Sequence, residues 1–251
     1  MLDKFVFCRP EKSLSSIWKR AVGYMGNTSS MVDERKSYAA FFDLDDTLLE
    51  VNSGRALVRE ALGKGLMRKR DLLQSLWYSI LHKINFAHST RLVKKMALWL
   101  RGLEERTIKD LSDTLCNNLL FDSISGAMLE EIEKHRSRNA SIVLLSAALP
   151  YICQPIAERL KMDALICSSL EVIDGVFTGL PSGHLVFGSE KSVRLETFCR
   201  ENGFDMDQSY CYADSFSDLH MLEMVGHPVA VRPDRRLGNV ARKKGWTIIT
   251  E

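Results

Sequence analysis

The six cysteines of this chain include no CxxC pair, and no Cys/His cluster has the spacing of a zinc site, which excludes a zinc-finger module. Cys8, Cys116, Cys153, Cys167, Cys199 and Cys211 are scattered instead, a pattern that fits reduced, partly buried thiols in a cytosolic protein. No apolar run reaches the roughly 18 residues that a membrane-spanning helix needs, so none is expected. The stretch Met1–Tyr24 is mixed and charged, without an apolar segment followed by a cleavage site, and no secretory signal is expected. The two N-x-S sequences at Asn27 and Asn139 therefore mean little. Neither sign of charge dominates: 34 Lys and Arg stand against 32 Asp and Glu, a net of +2, which gives no reason to expect a nucleic-acid partner. Internal repeats and low-complexity tracts are lacking too.

What is present suits a soluble globular protein. The 251 residues are 45% hydrophobic and 26% charged, enough for one sizeable domain or one domain with an insert. Residues 1–37 read as a polar, basic N-terminal extension. Ala39–Asp43 is a short apolar run that ends abruptly in acids, as a buried strand does when its carboxyl end carries polar work. From Ser53 to about Asp122 the periodicity is helical and no strand pattern interrupts it. Helices are expected from Ser53 to Gly63, over Arg70–Ile84, from Ser89 or Thr90 to Gly102, and from Leu103 to about Leu120.

After this block, helix and strand signals alternate. Strands are expected at Ser141–Ser146, Ala164–Cys167, Tyr210–Asp214, Val229–Val231 and Trp246–Ile249. A hairpin is expected around Asp174-Gly175, and helices at Ser123–His135, Leu149–Leu160, Lys191–Asn202, Ser217–Val225 and Arg235–Lys244. Pro155 should kink or restart the helix that contains it. The alternation argues for an α/β, doubly wound parallel sheet wrapped by helices, with ligands at the strand carboxyl ends.

Four polar features follow four strand-like or extended runs. They are Asp43-Leu44-Asp45-Asp46-Thr47, Ser146, Lys191 after Phe187–Glu190, and Asp214-Ser215-Phe216-Ser217-Asp218. A phosphate monoester is anionic and repels nucleophiles, so a site for it must neutralise charge. Asp43 and Asp214 can hold Mg²⁺, a hard cation that prefers oxygen. Asp43 can attack phosphorus. Asp45 points to the same side of an extended backbone and can protonate the leaving oxygen, then activate water. Ser146 precedes a helix and can donate to a phosphoryl oxygen. Lys191 supplies positive charge against phosphate and nucleophile, Thr47 is a further phosphate-binding candidate, and Asp218 orients the metal shell from behind. None of the six histidines has ligand spacing.

This set resembles the haloacid dehalogenase superfamily of phosphohydrolases, and within it subfamily IB, the phosphoserine-phosphatase-like branch with a helical cap. FFDLDDTLL is similar to the first motif, DxDxT. VLLSAALPYI is similar to the second, FGSEKSVRLE to the third, and YADSFSDLHMLEMVGHPVAVRPDRRL to the fourth. The likeness covers roughly residues 38–251. It implies a Rossmann-like core at 38–53 and 123–251, an inserted all-helical cap at 54–122, Mg²⁺ held by Asp43, Asp45 and Asp214, and an aspartyl-phosphate intermediate. Asn52 stands where phosphoserine phosphatases carry the Glu that contacts the substrate amine. Ser217 stands where their fourth motif usually has Asn.

The insert is basic. Ser53–Leu103 holds eleven Lys or Arg against Glu60 and Asp71, a net of +9, with Trp77, Tyr78, Phe86 and Trp99 among them. Such a block can receive an anionic substrate with an apolar tail, or rest on anionic lipid. The plainer reading, in which the aromatics pack the cap and the charges face water, is preferred. The resulting expectation is a Mg-dependent phosphatase acting on a small phosphorylated substrate, with a lipid phosphate admitted as that substrate. The site is cytoplasmic, with peripheral membrane contact through the cap admitted as well. The rivals are a phosphotransferase with the same intermediate, a phosphoserine phosphatase, and a catalytically idle binding module.

Overall fold

Ala39–Phe42 has four apolar residues in a row and no alternation, the pattern of a strand covered on both faces. In a computed structural model, which describes residues 36–67 and 98–250, it is strand β1 and all four of its residues are buried. Ser141–Ser146 (β2), Ala164–Cys167 (β3) and Tyr210–Ala213 (β6) are covered in the same way, and His227–Val231 (β7) is buried along its second half. With Thr247–Ile249 (β8) they form one six-stranded sheet in the order β3-β2-β1-β6-β7-β8. Every pairing in it is parallel. The chain runs outward from β1 to β3 on one side and from β6 to β8 on the other, so the order reverses between β1 and β6. That is the position where an open α/β sheet leaves a crevice at its carboxyl edge. The expected doubly wound, Rossmann-like core is what the chain forms.

Helices cover both faces. Described here are α1 (Ser53–Gly63), α2 (Glu105–Leu115), α3 (Gly126–Ser137), α4 (Pro150–Arg159), α5 (Ser189–Asn202), α6 (Leu219–Glu223) and α7 (Arg235–Lys244). One apolar cluster holds Phe42, Leu144, Ile152 and Val231, and includes Leu57 of α1 with Leu111 and Leu115 of α2. The opposite face of the sheet packs Phe41, Val143 and Ala213 against Leu195 and Leu237. Helices α1 and α2, from the segment expected to form the insert, therefore share the buried cluster of the sheet.

Two local expectations change, and a third lies outside the described residues. Pro155 does not restart its helix. It lies inside the single helix α4, where the buried Ile152, Cys153, Ile156 and Ala157 offset the one backbone bond that proline cannot donate. The helix expected from Leu103 begins at Glu105 instead. Leu103 and Glu104 are extended against the hairpin of β4 (Leu170–Ile173) and β5 (Val176–Pro181), with Phe177 N–H donating to Leu103 at 2.9 Å and Glu105 N–H to Gly175 at 2.8 Å. The helices expected over Arg70–Ile84 and from Ser89 onward lie outside the described residues, apart from a single 3-10 turn at Leu98–Leu100.

A buried polar network fixes the β1–β6 pair from below. The Tyr212 ring stacks on Phe42 with centroids 4.5 Å apart. Its hydroxyl lies 2.7 Å from His135 Nε2 and donates to Glu131 at 2.6 Å. His135 Nδ1 meets the Tyr38 hydroxyl at 3.1 Å. Burial holds the His135 imidazole down at about 4, so it is neutral at pH 7. Replacing Tyr212 by Phe strips one partner from the buried His135 and one from the half-buried Glu131, and a loss of about 1–3 kcal/mol is expected. Urea unfolding of Tyr212→Phe measures it, and an unchanged midpoint would show that the network does not restrain the pair.

Candidate active site

The end of β1 is also the start of a tight turn. Asp43 N–H still donates to Tyr212 C=O at 3.0 Å, as a strand residue would. The next residues coil at once: Leu48 and Leu49 N–H return to the carbonyls of Asp43 and Leu44. Asp45 has φ −71° and ψ 132°, and Asp46 is left-handed at φ 57°. Asp43, at φ −71° and ψ 160°, and Asp45 keep the extended backbone expected of them, and the chain turns at the left-handed Asp46 to reach Ser53 at the start of α1. Asp45 accepts the Ser53 N–H at 2.7 Å, which fixes its carboxylate against the helix terminus. Burial raises its proton affinity to about 6; the Ser53 hydrogen bonds oppose the shift and the charges of Asp43 and Asp46 add to it.

Lys191 lies on the first turn of α5, not after an extended run. Gly188, at φ 56° and ψ −126°, makes the turn into that helix, in a region that favours glycine. The lysine is 3% exposed. Its Nζ donates to Asp43 Oδ1 at 2.7 Å and to Asp218 Oδ2 at 2.9 Å. Burial works against its charge, but Asp218 and Asp43 outweigh burial and keep the ammonium protonated. Asp218 ends the 3-10 turn Phe216–Asp218. Its other oxygen, Oδ1, is buried with no hydrogen-bond partner in the structure. Burial pushes its carboxyl up, and Lys191 pulls it back.

Asp214 follows β6, the strand paired with β1 through Phe42 and Tyr212. Asp43 and Asp214 thus leave neighbouring strand tips. Thr47, a phosphate-binding candidate by sequence, is fully buried, and its hydroxyl donates to Asp214 Oδ1 at 3.3 Å. Burial raises the Asp214 carboxyl to about 8, with further upward pressure from Asp43, Asp218 and Asp46. Ser146 ends β2 at 2% exposure, and its hydroxyl accepts the Ala148 N–H at 3.1 Å. Helix α4 starts four residues later with Pro150 at its first position and no side-chain cap.

The donor set fits a hard divalent cation. Asp43 and Asp218 face one ammonium, and burial raises the Asp45, Asp214 and Asp218 carboxyls, with the neighbouring Asp43 charge adding to each. Among the described residues no group of three or more His, Cys, Asp or Glu is gathered to hold a metal. A cation here would rest on two carboxylates completed by backbone oxygen and water, which is the habit of Mg²⁺. The open cleft of about 660 Å³ lined by Tyr210, His227, Lys244 and Trp246 lies at the amino end of β6–β8 and holds none of these residues.

Two residues at this edge escaped the sequence reading. Arg232 sends Nη2 to the Thr47 carbonyl at 2.7 Å, within reach of the carbonyls of Asp46 and Leu49. Asp234 accepts the Phe216 N–H at 2.8 Å. Both follow β7, a fifth strand whose polar carboxyl end, Arg232-Pro233-Asp234, was available as a signal. Asn52 caps α1 by accepting the Arg55 N–H at 3.0 Å, and it donates weakly to Asp46 at 3.4 Å.

The family pattern of haloacid dehalogenase-like hydrolases matches residues 40–223, from β1 to the end of α6. The phosphoserine phosphatase SerB1 of Mycobacterium tuberculosis is 28% identical over 84% of this chain and 70% of its own length. A histidinol-phosphatase of Neisseria meningitidis is 25% identical over 84% of this chain and 97% of its own. The solved structure of a phosphoserine phosphatase with a phospho-aspartyl intermediate analogue superposes with a TM-score of 0.65 at 20% identity, covering 86% of this chain and 94% of that one. The chain belongs to the haloacid dehalogenase-like hydrolase family and is a phosphoric monoester hydrolase.

Proposed function

We propose that this enzyme hydrolyses a small phosphate monoester in two steps through a phosphorylated Asp43, with Mg²⁺ as cofactor. The observation that carries the reading is the buried Lys191 ammonium bridging Asp43 and Asp218 at a strand tip beside Asp214. Lys191 holds one Asp43 oxygen and leaves the other to attack. Asp43 bonds phosphorus as the ester oxygen leaves, and Asp45, with its carboxyl raised to about 6, is suited to give that oxygen a proton. In the second step Asp45 takes a proton from water, which attacks phosphorus and releases Asp43. Ser146 and the Lys191 ammonium hold the phosphoryl oxygens, and Asp218 keeps the lysine in place. Asp43, Asp214 and the Asp45 carbonyl would hold the cation, which when bound supplies the charge that offsets repulsion between phosphate and carboxylates.

The insert at 54–122 acts in this reading as a cap that admits substrate and excludes water. The named relatives act on different phosphate esters, and the residue expected to contact the amine of phosphoserine is here the helix-capping Asn52. The substrate is therefore a phosphorylated small molecule with no assigned amine. A lipid phosphate and peripheral membrane contact rest on the basic insert, most of whose charges, from Arg68 to Lys95, lie outside the described residues. No described helix is long and apolar enough to cross a membrane.

Asp43→Asn is expected to lower hydrolysis of a chromogenic aryl phosphate by at least about 10³-fold, and EDTA should abolish it in the wild type. Equal rates for wild type, EDTA-treated wild type and variant would overturn the mechanism. Adding an alcohol acceptor tests the phosphotransferase alternative, because transfer would yield a new phosphate ester at the expense of inorganic phosphate.

The Asp214 carboxyl gives a pH signature. Its folded value of about 8 lies above its ordinary 3.8, so between these limits the folded protein holds a proton that the unfolded chain releases. Its contribution to stability is present below about pH 4 and is lost as pH rises toward 8. Relative to Asp214→Asn, the metal-free wild type should melt at progressively lower temperature across that window, and Mg²⁺ should restore it. Calorimetric scans of both proteins at several pH values measure this, and a constant difference would contradict it. A substrate panel of phosphoserine, sugar phosphates, nucleotides and lysophospholipid phosphates should show no preference for phosphoserine.

A further inference from the structure

The turn that carries the aspartates cannot satisfy itself. Its carbonyls at Asp43 and Leu44 accept Leu48 and Leu49 N–H, and that of Leu48 accepts Ser125 N–H. Those of Asp46, Thr47 and Leu49 point instead to one guanidinium, Arg232 Nη2, at 3.3, 2.7 and 3.4 Å. The other nitrogen, Nη1, donates to Ser125 Oγ at 3.2 Å, beside the point where Leu49 bridges Ile124. One planar fork thus ties the exit of the turn to the start of α3, a task that a single ammonium does not match.

Arg232 is itself held in an unusual state. Its φ is 40°, left-handed backbone that an arginine adopts only where its surroundings impose it. Its N–H is anchored to the Ile249 carbonyl of β8 at 2.6 Å, and Pro233 follows it. Two residues on, Asp234 performs the matching task for the other loop. Its N–H donates to the Asp214 carbonyl at 2.8 Å, and its carboxylate accepts Phe216 N–H at 2.8 Å together with the Arg236 and Leu237 N–H groups that open α7.

We propose that Arg232-Pro233-Asp234 is a positioning strap, in which Arg232 sets the nucleophile turn and Asp234 sets the Asp214–Asp218 loop, so that the two carboxylate-bearing loops keep a fixed separation during phosphoryl transfer. Neither residue is placed to touch substrate; Arg232 acts through the carbonyls of the turn. The catalytic part of this inference rests on the reaction proposed above.

The test uses the full chain with Arg232→Ala and Arg232→Lys. Aryl phosphate hydrolysis with Mg²⁺ should show kcat lowered roughly 100-fold in the alanine variant, the scale of a misplaced reacting group, with KM changed by less than about 3-fold. The lysine variant keeps the charge but not the fork, and should stay at least about 10-fold below wild type. Added guanidinium ion should raise kcat of Arg232→Ala and leave wild type unchanged. Hydrogen exchange by mass spectrometry should show faster exchange at Leu48 and Leu49 with β2 and β3 unaltered. Wild-type kcat in both variants would overturn the strap. So would a kcat loss in Arg232→Ala without guanidinium rescue and with exchange raised throughout the sheet, and a destabilised alanine variant leaves the lysine variant to decide. If the wild type itself fails to hydrolyse phosphate esters, the reaction is wrong, and the exchange pattern alone then judges whether Arg232 holds the turn.

Discussion

Lys191 draws three distant parts of the chain to one point. Asp43 comes from the tip of β1, Asp218 from the turn after β6, and the lysine from the first turn of α5. Removing an ammonium and two carboxylates from water costs several kcal/mol per ion before their attraction returns any of it. Such a cluster survives only where strong geometry compensates, and here both contacts are short and nearly fully buried. Yet the cluster is not neutral. One ammonium faces two carboxylates directly, with Asp214 and Asp45 close by. Burial chiefly raises the Asp214 carboxyl, with the charges of Asp43 and Asp218 adding to it, and one oxygen of Asp218 has no hydrogen-bond partner. A site whose charge is left incomplete by its own residues is suited to a dianionic substrate only together with added positive charge.

The sheet makes this crowding possible. In a parallel sheet all carboxyl ends emerge on one edge, and the reversal of order between β1 and β6 keeps helices from covering that edge there. Tyr212 then serves on two sides. Its carbonyl accepts Asp43 N–H, and its ring and hydroxyl are fixed by Phe42, His135 and Glu131. Asp43 is thus registered to β6 through the Tyr212 backbone while the Tyr212 side chain is locked into the core. Rigid placement of this kind lets a carboxylate attack with little reorganisation.

Much of this was legible in the sequence because periodicity reports burial. Continuous apolar runs gave β1, β2, β3 and β6 nearly to the residue, and Asp174-Gly175 marked its hairpin. The acids and the lysine were legible because they stand just past strand ends or at a helix start, where the apolar pattern breaks. What failed was local conformation. Asp43 and Asp45 were read as extended and are so, but the left-handed turn at Asp46 that follows them toward α1 left no signal in the alternation. Leu103 and Glu104 read as helix because their side chains suit one, but their backbone groups are taken by the β4–β5 hairpin. Pairings across long sequence separations leave no periodic trace, and Arg232 belongs to that class: its partners lie about 185 positions away.

Backbone strain separates these two kinds of information. Among the described residues, five that are not glycine have positive φ: Asp46, Asn139, Lys161, Asp174 and Arg232. Asn139 and Asp174 are of types that tolerate left-handed backbone in turns. Lys161 follows the end of α4, where a left-handed residue commonly stops a helix. Asp46 is of the same tolerant type as Asp174, whereas Arg232 has no such local reason, since an arginine before a proline favours extended backbone. They also touch each other, because the guanidinium of Arg232 reaches the carbonyl of Asp46. Two left-handed residues on different strand ends, bonded across the sheet edge, form one constraint: the Arg232 guanidinium holds the Asp46 carbonyl, and the Ile249 carbonyl of β8 holds the Arg232 N–H. Strain of this type persists where the surrounding structure over-determines it, and in this protein that place is the edge where Asp43 and Asp214 meet.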